Sequence, residues 1–242
     1  MVVPITSQVL ERLVNDLKTV HADNLASVTV YGSSARDDSK PDDSHDVLII
    51  LRRVELNDLR AALGVIRNWT SSGHPMPVYF SLDELRSAAD VFPIEFLQME
   101  QARKVIYGLD PFELVEISPA NLRHQTEYEL RTKCLQLRRL YFSAAKTPAR
   151  LAQLMQDSLS SFAALFRAVL ILHDASPPVS KREAIQSTAR LLALDTSPFD
   201  RIVELRDTKN IKLESDEADN LFGDYLAQIQ RVIEAVDRIQ RD

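Results

Sequence analysis

Two short stretches carry the residue types that could do chemistry. The first is Val30-Tyr-Gly-Ser-Ser-Ala-Arg36 and the second is Asp43-Ser-His-Asp-Val-Leu-Ile-Ile50. A β-rich run that ends in Gly32-Ser33 can turn its backbone N–H groups toward an anion, and phosphate is the anion such turns commonly hold. Asp46 opens the apolar run Val47 to Leu51, and a carboxylate is a ligand for a hard cation such as Mg2+. Residues at i and i+2 of a strand share a face, which places Ser44 beside Asp46. A third group comes from Phe92-Pro-Ile-Glu-Phe-Leu97, whose alternation reads as a strand with Glu95 as a lone carboxylate among apolar neighbours. Glu100 is a second candidate nearby.

The spacing of these pieces resembles the signature of the DNA-polymerase-β-like nucleotidyltransferase superfamily: a strand, Gly-Ser, about ten residues, then Asp-x-Asp opening a second strand. Ten residues separate Ser33 from Ser44 here, and Ser44-His45-Asp46 occupies the Asp-x-Asp place. The resemblance implies transfer of a nucleoside monophosphate from a nucleoside triphosphate to a small-molecule or macromolecular acceptor, with Mg2+ as cofactor. Asp46 and Glu95 would be the catalytic and metal-binding carboxylates. Gly32, Ser33, Arg36 and Ser44 would meet the nucleotide. Ser44 departs from the pattern, because a neutral hydroxyl is a much weaker Mg2+ ligand than a carboxylate. Asp42 or Asp43 would have to swing in to replace it. The alternative is therefore a degenerate member, a pseudoenzyme acting as a nucleotide- or protein-binding module.

The elements that must position these groups fall into two parts. Residues 1–110 read as an α+β domain with a small mixed sheet. Thr6 or Ser7 caps an opening helix with Val9, Leu10, Leu13, Val14 and Leu17 at helical spacing. Strands follow at 26–31 and 46–51, joined by a polar loop from Arg36 to Ser44. Asn57 or Asp58 caps the next helix, whose core face is Leu59, Leu63, Ile66 and Trp69. A third strand covers 77–80, and Ser81 with Glu84 forms a capping box for a short helix. Residues 91–99 read as a fourth strand, Val105 to Tyr107 as a short strand or helix, and Gly108 closes this half. From residue 118 to 242 helical periodicity dominates. Ser118-Pro119, Thr147-Pro148, Ser180 with Glu183, and Ser197-Pro198 are helix-start signals, and a last helix spans about 216–239. Five helices with short connections imply a bundle. This layout resembles aminoglycoside nucleotidyltransferases, in which the bundle helps to bind the acceptor.

Composition narrows the function classes. With 242 residues, 45% hydrophobic and 26% charged, the chain can bury real cores. A formal charge of −6 makes it a poor candidate for general nucleic-acid binding. The single cysteine, Cys134, excludes a disulfide framework and reads as a packed thiol. No signal peptide is legible, and the apolar stretch 163–172 is too short for a bilayer span, so the expectation is a cytoplasmic protein without membrane contact. A homodimer is compatible with the layout.

Other side chains have blander readings. Arg123, Glu127 and Arg131 at four-residue steps read as a salt-bridge ladder on a solvated helix face. Arg167 and His173 match the Arg-x(4–6)-His element of ribonucleases built on related bundles, yet six helical steps rotate them about 240° apart. His45 should point to the sheet face opposite Asp46. His21, His74 and His124 show no metal-binding spacing.

Overall fold

The computed structural model describes residues 8–35, 44–178, 180–208 and 213–239. Thr6, Ser7, Arg36, Asp42 and Asp43 lie outside them. The chain divides into two compact units, Met1–Ser118 and Pro119–Asp242.

The first unit is a four-stranded mixed sheet with helices on both faces. Its elements run α1 (Gln8–His21), β1 (Leu25–Tyr31), a 3-10 turn (Gly32–Ala35), β2 (Asp46–Leu51), α2 (Leu56–Ser71), β3 (Val78–Ser81), α3 (Leu82–Ala88), α4 (Pro93–Gln101) and β4 (Arg103–Gly108). The strand order is β3-β2-β1-β4. β1 pairs antiparallel with β2 and β4, while β2 and β3 run parallel. From Val47 to Leu51 β2 is apolar and buried because both of its faces are covered. Val47, Ile49 and Leu51 join Leu10, Leu13, Leu17 and Trp69 in one core. Leu48 and Ile50 join Leu85, Phe96 and Phe112 in the other.

Three expectations need correction. The run 91–99 is not a strand. Pro93 stands at the first position of α4, where its fixed φ and missing N–H favour a helix start. Phe96 then packs edge-to-face against Phe80 and Phe112. The fourth strand is β4, which covers the segment left open between strand and helix. Second, α2 is capped by Glu55, with Asp58 at N3 returning a bond to the Glu55 N–H at 2.9 Å. Third, the buried face of α2 is Ala62 and Trp69, with Val65 and Ile66 packed beside them. Leu59 and Leu63 are exposed. The Ser81–Glu84 capping box is present as expected.

His21, at the end of α1, is buried with its Nε2 3.5 Å from the Tyr79 hydroxyl. Burial pushes its pKa below the ordinary 6.5, with Asp58 opposing. Burial shifts His74 the same way. A histidine with a lowered folded pKa stabilises the fold above 6.5, and that stability drains as pH falls through the folded value. The denaturant midpoint of this unit, read from Trp69 emission, is thus expected to fall on acidification below about 6.5. His21→Leu should flatten that slope; an unchanged slope would contradict the assignment.

The second unit holds α5 (Pro119–Ala144), α6 (Pro148–Leu172), α7 (Lys181–Leu191), α8 (Ser197–Asp207) and α9 (Ser215–Asp237). Thr147 and Ser180 cap α6 and α7 through their side chains. At α8 the capping acceptor is Asp195, whose Oδ1 takes bonds from the Ser197 N–H and hydroxyl at 2.9 and 2.7 Å. The apolar stretch near 163–172 belongs to the longer α6, which by length and composition alone could cross a membrane; half of that window is buried inside the protein. Phe162, Phe166 and Val169 of α6 form its core with Phe199 and Tyr225.

Arg123, Glu127 and Arg131 do form a ladder, at 2.9 and 2.8 Å, but it is not wholly solvated. Arg123 is buried and also reaches the Val236 carbonyl. Cys134 is buried, and burial pushes its thiol pKa up, as a packed thiol requires. α6 runs unbroken from Arg167 to Leu172 with His173 as its C-cap, so the two do not share a helix face.

Candidate nucleotide-binding site

β1 and β2 bring the two motif stretches together. Their antiparallel register sets Tyr31 opposite Asp46, so Gly32 follows directly beside the carboxylate. Gly32 has φ +76°, in the left-handed region, and a Cβ added there would stand 3.3 Å from Asp46 Oδ2. Glycine is therefore needed twice over, for the turn and for the approach of the acid.

The Gly32 N–H is not available to an anion, because it donates to the Ala102 carbonyl at 2.9 Å. This corrects the expectation that Gly32 itself supplies a donor. Its contribution is the bend, which fastens the Gly32–Ala35 turn to the start of β4.

Asp46 shares the sheet face of Leu48 and Ile50, by the two-residue period of the strand. His45 lies on the other face, as expected. Its ring is buried and stacks with His74, and the His45 backbone N–H donates to His74 Nδ1 at 3.3 Å. His74 in turn stacks on Trp69 with ring centroids 3.9 Å apart. Trp69 is held by a 2.9 Å bond from its Nε1–H to the Pro75 carbonyl. Sequence reasoning missed this relay from His45 to the only tryptophan, because Ser-Ser-Gly-His-Pro reads as a plain helix break. It also missed Tyr31, whose hydroxyl is pushed up in pKa by burial and by the charge of Asp46.

Ser44 precedes β2 and is exposed. Glu95 is exposed on α4, a helix that packs beside the Gly32–Ala35 turn, and not on a strand next to Asp46. β3, the parallel neighbour of β2, offers Val78, Tyr79, Phe80 and Ser81 and no carboxylate. Among the described residues no group of three His, Cys, Asp or Glu side chains could hold a metal ion. The described donor set does not fit a resident two-metal centre, which needs several carboxylate oxygens around the ions.

No family model matches the chain, and no curated protein matches it. Among solved structures the chain is similar to the spectinomycin adenyltransferase AAD(9) from Enterococcus faecialis, a crystal structure with ATP and spectinomycin. The identity is 14% and the TM-score 0.55, over 93% of this chain and 98% of that one. The likeness spans the α/β unit and the helical unit alike, and it establishes for this chain the nucleotidyltransferase fold.

Proposed function

We propose that this chain binds a nucleoside triphosphate at the Gly32–Asp46 corner as a nucleotidyltransferase-fold module that turns it over slowly or not at all. One observation carries this reading. The bend and the acid that mark a polyphosphate pocket are side by side, while the neighbouring strand brings no second carboxylate. Mg2+ would then arrive with the nucleotide, chelated mostly by phosphate oxygens, and Asp46 alone would reach it from the sheet. Binding needs one such contact; in-line displacement needs both the attacking and the leaving oxygen neutralised.

A second reading is Mg2+-dependent transfer to a small-molecule acceptor. The position of α4 beside the turn favours it, because Glu95 then serves as a second acid from the same side of the sheet. Asp42 or Asp43 would supply the place that Ser44 leaves.

Titration with ATP, GTP, CTP and UTP, with and without Mg2+, separates the readings. Trp69 is the only tryptophan, so its emission reports binding through His74 and His45. A saturable shift without pyrophosphate release supports the binding module. Pyrophosphate release that Asp46→Asn abolishes supports transfer. No shift and no release, with dialysis also showing no bound nucleotide, would overturn both.

A further inference from the structure

β1 lies between β2 and β4, and its last residue has a neighbour on each side. The register sets Tyr31 opposite Asp46 of β2 and opposite Arg103 of β4. Directly opposed residues of an antiparallel pair project from the same face, so an acid, a phenol and a guanidinium stand in one row across the sheet. The face is the one that carries Leu48, Ile50 and Phe96. The Tyr31 ring packs against that core, and the Arg103 guanidinium lies over Phe112, 5.1 Å from its ring centre. Strands are about 4.8 Å apart, so the row spans roughly 10 Å at the Gly32 bend.

Arg103 is fully engaged. Its Nε–H and Nη2–H donate to the Asp110 carboxylate at 3.2 and 2.9 Å, and Nη1–H donates to the Glu100 carbonyl at 2.8 Å. The Glu100 carboxylate stands 3.9 Å away as well. One guanidinium between two carboxylates leaves no spare positive charge for a phosphate. Arg103 instead fastens the start of β4, next to the Ala102 carbonyl that holds the Gly32 turn. The Asp46 carboxylate and the Tyr31 hydroxyl differ from it. Neither makes a hydrogen bond or ion pair among the described residues, and they do not bond each other. A carboxylate is met by a cation, and a phenol O–H by an acceptor. Burial and the charge of Asp46 keep the phenol protonated, hence a donor. A magnesium-bound phosphate offers both partners side by side, a cation for the acid and anionic oxygens for the hydroxyl.

We propose that Tyr31 is the phosphate-contacting residue of the corner, its hydroxyl donating to a non-bridging oxygen of the polyphosphate bound beside Asp46. This assignment rests on the nucleotide-binding reading above and names the side chain that meets the phosphate there. A neutral donor holds the phosphate by a short, directional bond, whereas a distant guanidinium or ammonium acts by charge that salt screens. The affinity that the hydroxyl contributes is therefore nearly the same at low and at high salt.

Tyr31→Phe removes the donor and keeps the ring on its core, so the thermal melt by circular dichroism should not move. Calorimetric titration with MgATP, and with magnesium tripolyphosphate as a probe that has the phosphates without the nucleoside, tests the contact. The unaltered chain should bind both saturably. Tyr31→Phe should bind both about tenfold more weakly, by the same factor at about 0.05 and 0.3 M salt. Full affinity in the variant would overturn the proposal and leave the nucleotide site standing. So would a loss confined to MgATP, or an unaltered chain that binds MgATP but not tripolyphosphate, because the hydroxyl or the affinity would then belong to the nucleoside. A variant that melts lower would assign the hydroxyl to the fold and count against the contact. An unaltered chain that binds neither probe would overturn the nucleotide reading and this assignment with it.

Discussion

Gly108→Ala is expected to unfold the α/β unit, with a loss above about 4 kcal/mol. Gly108 has φ +78°, and its Cβ would overlap the Ala26 carbonyl oxygen, with the Ala26 carbonyl carbon 2.9 Å and the Ser27 Cα 3.1 Å away. These are backbone atoms of β1, the strand that pairs with β4 through Ser27 and Gly108. No rotamer change relieves such a clash. Relief requires parting β4 from β1, which breaks the bond from the Leu109 N–H to the Ala26 carbonyl and opens the bend anchored at Ala102. Denaturation followed by Trp69 emission should show the loss, because that tryptophan lies in this unit. A midpoint shift no larger than that of a surface substitution would mean that the β1–β4 register is wrong.

Glu127→Ala is expected to cost the helical unit about 3–5 kcal/mol, because it strands the buried Arg123. Arg131→Ala, on the exposed side of the same carboxylate, should cost about 1 kcal/mol or less. Replacing Arg123 and Glu127 together by Leu and Met should be far milder than the single change, since no charge is then left buried. Burial alone would raise the Glu127 pKa, but the hydrogen bonds and charges of Arg131 and Arg123 outweigh it and hold the carboxyl below the ordinary 4.5. Its stabilisation is therefore present above 4.5 and lost as pH falls through the lower folded value. The α/β unit begins to weaken at higher pH, through His21. Thermal melts of single and double variants by circular dichroism check the ledger. Equal losses for Glu127→Ala and Arg131→Ala would contradict it.

Much of the candidate site was legible before any coordinates. The β-branched run 26–31, the glycine that must end it and the unbroken apolar run 47–51 fix two strands, and a short polar connection makes them neighbours. The misreadings share a cause: local pattern without tertiary partners. Phe92-Pro-Ile-Glu-Phe-Leu alternates like a strand, yet Pro93 was a helix-start signal, and only the packing of Phe96 on Phe80 and Phe112 decides between them. Leu59 and Leu63 look like core by hydrophobicity, while the face that turns inward is set by Ala62 and Trp69. The hydrogen bond that occupies the Gly32 N–H comes from seventy residues away, and so does not show in the motif. Both arginines meet the end of α9, but Arg123 is buried against the Val236 carbonyl while Arg131 stays half exposed beside Asp237, a difference that spacing along α5 does not show.

The central claim is that the Gly32 bend and Asp46 together form the pocket for a polyphosphate. Calorimetric titration of MgATP into the unaltered chain and into Gly32→Ala tests it most directly. The added methyl group would press on Asp46 Oδ2 and force the turn out of its left-handed conformation. Saturable binding by the unaltered chain, weakened at least about tenfold in a Gly32→Ala protein that still folds, is the predicted result. Equal affinity in the two proteins would place the nucleotide elsewhere and contradict the account.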